Sequence, residues 1–88
     1  MGEATVEYST RAVEQLENLE TEDAERIMSK LDDVIWNVEH YLQGRRMTGE
    51  PFHSLRIGDY RAIIDWRRDE DPEVLFVRRV AHRSDAYN

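Results

Sequence analysis

The clearest regularity along the chain is a set of apolar positions at steps of three and four: Ala24, Ile27, Met28, Leu31, Val34, Ile35, Val38, Tyr41 and Leu42. That spacing lays one apolar stripe along a single helix of about five to six turns. Thr21 is a cap candidate at its start, and Glu22, Asp23 and Glu25 lie where the positive end of the helix dipole favours negative charge. Gly44 is placed to end it. Upstream, Ala12, Val13, Leu16 and Leu19 mark a shorter helix that runs to about Leu19 or Glu20, capped by Ser9 or Thr10. The connection is too short for independent helices, so the two form an antiparallel hairpin.

Period-two patterns flank the helices. Ala4 to Tyr8 is a short segment with β-branched residues and reads as a first strand. Residues 44–52 hold two Gly and a Pro, a loop that turns the chain from helix to sheet. His53 to Ile57 reads as a strand, and Gly58-Asp59 as a turn. Tyr60 to Arg67 then alternates, with Tyr60, Ala62, Ile64 and Trp66 on one face and Arg61, Ile63, Asp65 and Arg67 on the other. After a charged loop, Val74 to Ala81 is apolar enough for a central strand, and the tail from His82 is polar. The expected architecture is α+β in the order β-α-α-β-β-β: a helical hairpin packed on a small, mainly antiparallel sheet formed by the last three strands. Residues 1–88 read as a single domain, without repeats or a linker.

Composition narrows the class. The chain has 88 residues and no Cys, so neither disulfides nor thiolate metal sites support its core. No apolar run approaches the roughly 18–20 residues of a membrane span, and no secretory signal opens the sequence. A soluble cytoplasmic protein without a membrane partner is expected. Net charge is −7, which on its face disfavours a nucleic-acid partner. The acid is uneven: residues 1–50 carry 12 acidic and 5 basic side chains, whereas residues 51–88 carry 7 of each. The cations are eleven Arg and one Lys, Lys30. An acidic, Lys-poor surface suits very high salt, where self-repulsion is screened over about 3 Å, and a halophilic source is expected. The plainer alternative is an acidic helical face that avoids RNA or binds a basic partner.

Candidate chemistry concentrates in the second half. His40, His53 and His82 lack the spacing of a zinc pair, and the four Gly are scattered, so no metal and no cofactor are expected. Arg56, Arg61, Arg67, Arg78, Arg79 and Arg83 lie on or beside strands, where guanidinium groups on a shared face clamp phosphate. His82 and Tyr87 flank Arg83. Such residues suit RNA cleavage by the chain's own 2′-hydroxyl, which needs a base, cations for the charge building on phosphorus, and an acid for the leaving 5′ oxygen. Arg fills only the middle role, and His82 has the intrinsic pKa nearest neutrality. An Arg on an exposed strand is more often a solvated or ion-paired surface group, and Arg67 and Arg68 adjoin an acidic loop. Tyr60, Trp66 and Trp36 fit a core better than a stacking platform.

The segment FHSLRIGDYRA, Phe52 to Ala62, followed by VAHRSDAY, Val80 to Tyr87, resembles the RelE/ParE superfamily of toxins from type II toxin–antitoxin systems. Leu55-Arg56, Gly58-Asp59-Tyr60-Arg61, His82-Arg83 and Tyr87 carry the likeness, and the element order extends it over nearly the whole chain. The resemblance implies a RelE-like toxin, here of archaeal or halophilic type, that cuts mRNA on the ribosome and so inhibits translation. Its partners would be a cognate antitoxin, the ribosome and mRNA. Arg61 would contact phosphate, Arg83 would stabilise the transition state, and Tyr87 and His82 would complete the catalytic set, with Arg56 and His53 binding RNA. The strand before the turn lacks the Lys residues of some RelE enzymes, so His53 or His82 would take over proton transfer, or activity would be weak or absent. A ParE-like, non-enzymatic toxin that poisons DNA gyrase and an inactive antitoxin-binding homologue are the alternatives. The antitoxin is expected to fold on binding, over the sheet and the exposed apolar edge of the hairpin.

Overall fold

The computed structural model describes residues 4–82 and residue 84. Among them the order is β1 (Thr5–Tyr8), α1 (Thr10–Glu17), α2 (Thr21–Val34), α3 (Val38–Leu42), β2 (His53–Ile57), β3 (Tyr60–Arg67) and β4 (Val74–His82). The strands form one sheet in the order β1-β4-β3-β2. β2, β3 and β4 are antiparallel neighbours, and β1 joins β4 in parallel. The sheet is therefore mixed and four-stranded rather than built from the last three strands alone. The apolar β4 is central, as its composition predicts.

The period-two pattern decides which face is buried. Leu55, Ile57, Ala62, Ile64, Leu75, Val77 and Val80 meet Ala12, Leu16, Ile27, Leu31, Val34, Val38 and Leu42 in one core, with Tyr60 and Trp66 partly buried against it. Arg61, Ile63, Asp65 and Arg67 alternate onto the opposite face, which no described helix covers. Burying a side chain of this size contributes roughly 1.5–3 kcal/mol, and no polar or charged residue is buried with them among the described residues.

The long stripe is carried by two helices. The ladder breaks after Val34: Trp36 and Asn37 donate to Asp33 and Val34, each three residues back, and the Ile35 carbonyl accepts from Ala4 N–H at 3.3 Å. Neither Gly nor Pro marks the break. It comes where a backbone carbonyl is used to hold the start of β1. Trp36, at the corner, is 69 % exposed, and Met28, which shares the stripe's spacing, is 44 % exposed. Ser9 caps α1, its Oγ accepting from Ala12 N–H at 3.0 Å. Thr21 is not a cap; it is the first residue of α2, and Glu20 precedes it without a side-chain bond. Beyond the end of β1, the Gln15 side chain of α1 takes over for the missing strand and accepts from Val80 N–H at 2.6 Å.

Candidate functional site: the uncovered face of the sheet

β2 and β3 bring Arg56 and Arg61 together as directly opposed partners, joined by the Gly58-Asp59 turn. Gly58 has φ +60°, a conformation that favours glycine at this tight connection. The Arg61 guanidinium donates to Ser54 Oγ at 3.3 Å, and Arg56 Nε donates to the Gly58 carbonyl at 3.3 Å. Arg56 also lines a cleft with Arg26 and Lys30 of α2, so cations continue around the β2 edge.

A break in the β3–β4 ladder sets the rest of the face. Ile63 pairs with Arg79 and Ile64 with Val77, which leaves Arg78 without a partner on β3. Two successive Arg residues are thereby presented opposite one residue of β3, as a bulge does. Ser9 reinforces it: its hydroxyl donates to the Arg78 carbonyl at 2.6 Å, and its N–H donates to the Val77 carbonyl at 3.0 Å. The Arg78 guanidinium lies 4.3 Å over the Phe52 ring, and that of Arg67 lies 4.5 Å over Phe76. Arg67 also bonds Asp65 at 3.2 Å, the ion pair that its acidic surroundings predict.

The histidines lie on the other side. The register pairs His82 with Tyr60, and the two rings meet edge to face at 5.3 Å on the helix-covered side, where Tyr60 also donates to Asp23 of α2. His82 Nδ1 accepts from Ser84 N–H at 3.3 Å. His53 stands against Trp66 at 5.4 Å, with Nδ1 buried and without a hydrogen-bond partner. Burial, then Arg46 and Arg68, push its pKa below the ordinary imidazole value. His53, by strand alternation, and His82, by the shift at the bulge, thus stand on the side of the sheet away from Arg61. Arg83 and Tyr87 lie outside the described residues. On the uncovered face, Arg61, Arg56, Arg78 and Arg79 offer fixed cations for phosphate, and no described His lies there.

The aromatic part of the face, Phe52 and Phe76 beside the bulged Arg78, escapes the sequence reading. Its signal is present in β4: the core positions Leu75, Val77 and Val80 step by two and then three, and that slip marks a bulge. Among the described residues no helix is long and apolar enough to cross a membrane, and no group of three His, Asp or Glu is placed to hold a metal ion.

A family model described as the ParE toxin of type II toxin–antitoxin systems, parDE, matches residues 6–87. No curated protein sequence matches. Among solved structures, a RelBE toxin–antitoxin complex from Mycobacterium tuberculosis aligns with TM-score 0.74 at 22 % identity, covering 91 % of this chain and 98 % of that one. A variant of the Escherichia coli toxin RelE in the free state aligns with TM-score 0.75 at 18 % identity, covering 99 % and 90 %. An archaeal RelE–RelB complex from Pyrococcus horikoshii gives TM-score 0.73 at 17 % identity, covering 92 % and 96 %. At these identities the structural likeness establishes a RelE-like fold, and the family match spans nearly the whole chain. The chain belongs to the RelE/ParE toxin family of type II toxin–antitoxin systems.

Proposed function

We propose that this toxin acts as a RelE-like, ribosome-dependent mRNA endonuclease that halts translation and is held silent by a cognate antitoxin. The observation that carries the reading is the opposed pair Arg56 and Arg61 on an uncovered sheet face that continues into Arg78 and Arg79. In this reaction the 2′-oxygen of the RNA attacks the adjacent phosphorus, the bond to the 5′ oxygen breaks, and a cyclic phosphate and a 5′-hydroxyl result. Arg61, together with Arg83, holds the charge that builds on the phosphate oxygens. Tyr87 protonates the leaving oxygen, and the 2′ proton passes to water, since His53 and His82 stand on the other face. Complexes of similar toxins with RelB support an antitoxin partner here, which would cover the same face with acidic side chains. An acidic surface with eleven Arg and one Lys supports work at high salt.

A ParE-like toxin that poisons gyrase is the second reading. It is favoured by the lack, among the described residues, of a His on the face of Arg61, because a protein-binding surface needs no proton-transfer group. Mapping mRNA 5′ ends in a translating extract separates the two. Codon-phased cuts that disappear in Arg61→Ala support the endonuclease; trapped DNA breaks with intact mRNA overturn it in favour of the gyrase reading.

A further inference from the structure

The uncovered face holds a second feature besides the Arg56–Arg61 pair. Next to the bulge, Met47, Phe52, Ile63 and Phe76 line an open groove together with the cations Arg11, Arg78 and Arg79 and a single carboxylate, Glu50. Its volume is about 510 Å³, within the roughly 300–1,000 Å³ of sites that hold a small organic group. The apolar part of this lining is unusual for an uncovered sheet face. Ile63 is 5 % exposed yet lies outside the main core, so it is shielded by its neighbours on this face. Both Phe rings are half-buried, and each already carries a guanidinium group over it, at 4.3 Å for Phe52 and 4.5 Å for Phe76.

We propose that this groove is a nucleotide subsite for single-stranded RNA, in which Phe76 and Phe52 stack an unpaired base while Arg78, Arg79 and Arg11 hold the flanking phosphates. This rests on the reading of the same face as an RNA-cutting surface and adds where the strand runs on from Arg61. Three features favour a nucleotide over an acidic peptide. Aromatic faces take any base, whereas carboxylate side chains gain nothing from them. Guanidinium groups already lie over both rings, and aromatic faces beside Arg are where unpaired bases stack. The bulge, tied down by Ser9, presents adjacent guanidinium groups to one side, the arrangement that grips successive phosphate oxygens bidentately. A duplex is excluded because its bases are stacked within the helix and their faces are out of reach of the Phe rings.

The test is anisotropy of a labelled single-stranded RNA hexamer titrated with the whole chain, alongside Phe76→Leu, Arg78→Gln and Arg61→Ala. Phe76→Leu keeps an apolar side chain and removes the stacking face, and its thermal melt reports whether the fold is intact. The expected result is that Phe76→Leu weakens the hexamer by about five-fold or more with an unchanged melt. Arg78→Gln should weaken it and reduce the salt slope by about one. Duplex RNA of the same length should fail to compete. The subsite is overturned if the hexamer does not bind, if folded Phe76→Leu binds as tightly as the parent, or if an oligoglutamate peptide displaces RNA at equal concentration. The endonuclease reading fails separately: Phe76-dependent hexamer binding without mRNA cutting sinks that reading and leaves the groove standing. Cutting by a folded Phe76→Leu variant whose hexamer affinity is unchanged does the reverse.

Discussion

Arg56 and Arg61 are Cα partners across the β2–β3 pair, like charges set opposite one another on one face of the sheet. Opposed like charges in an antiparallel pair are destabilising, by up to about 1 kcal/mol. Replacing Arg56 with Thr removes the repulsion and places a β-branched residue in a strand. The expected outcome is a gain of roughly 0.2–1 kcal/mol in urea unfolding together with reduced growth inhibition. A loss of both stability and toxicity would instead mean that Arg56 supports the fold, through its bond to the Gly58 carbonyl.

Leu31 and Met28 share the apolar stripe of α2 but not its burial: Leu31 is 0 % exposed and Met28 is 44 % exposed. Leu31→Ala should cost about 2–5 kcal/mol, a large part of the ~5–15 kcal/mol that holds a small domain, whereas Met28→Ala should stay within about 0.5 kcal/mol. Urea midpoints of the two variants check this. The exposed Met28 is also an apolar contact available to an antitoxin, so Met28→Glu should weaken antitoxin co-purification without lowering stability.

Ser9 holds two structures at once, the first turn of α1 and the carbonyl of the bulged Arg78. Ser9→Ala removes both bonds. The cap alone is worth about 0.5–2 kcal/mol, and the Arg78 carbonyl is left short of a donor. Hydrogen exchange should rise at the amides of Val77 to Val80 more than in β2, which β3 separates from β4.

Period two was legible wherever a strand has one buried face: Tyr60, Ala62, Ile64 and Trp66 lie on the core side, and Arg61 lies away from it. Helical spacing located the stripe of α2 and α3 but not the break at Ile35, because the signal there is a bond to Ala4 from a distant part of the chain. Parallel pairing of β1 with β4 was equally invisible, since register between remote segments leaves no local mark. For the site, residue type pointed to six Arg on or beside strands, and the resemblance to the RelE/ParE superfamily singled out Arg61 among them. Counting along the chain could not assign His82 to a face, because the bulge at Arg78 shifts every later position of β4 by one. That single extra residue puts the His82 ring beside Tyr60 instead of beside Arg61.

The charge pattern predicts salt dependence. With a net charge of −7 concentrated in residues 1–50, self-repulsion falls as the Debye length shrinks from about 10 Å at 0.1 M to 3 Å at 1 M salt. The thermal midpoint should rise between 0.1 and 1 M KCl, and rise less in a variant with Glu22 and Glu25 both changed to Gln. A midpoint independent of KCl would contradict a surface suited to high salt.

His53 gives the fold a dependence on mild acid. Burial, Arg46 and Arg68 lower its pKa in the folded chain, so the unfolded chain binds the proton more readily. Stability is therefore complete above the unfolded imidazole pKa of about 6.5 and falls as pH drops from there through the lowered folded value. The charged ring would stand near two guanidinium groups, with its Nδ1 still buried without an acceptor. Urea midpoints should decline between pH 7.5 and 5.5 in the parent chain, and His53→Gln should flatten that decline while Arg68→Gln reduces it only in part. Because the ring faces Trp66 and the covered side of the sheet, on the endonuclease reading RNA cutting by the folded His53→Gln variant should keep the parent's pH profile; a shifted profile would mean that His53 reaches the reacting phosphate after all.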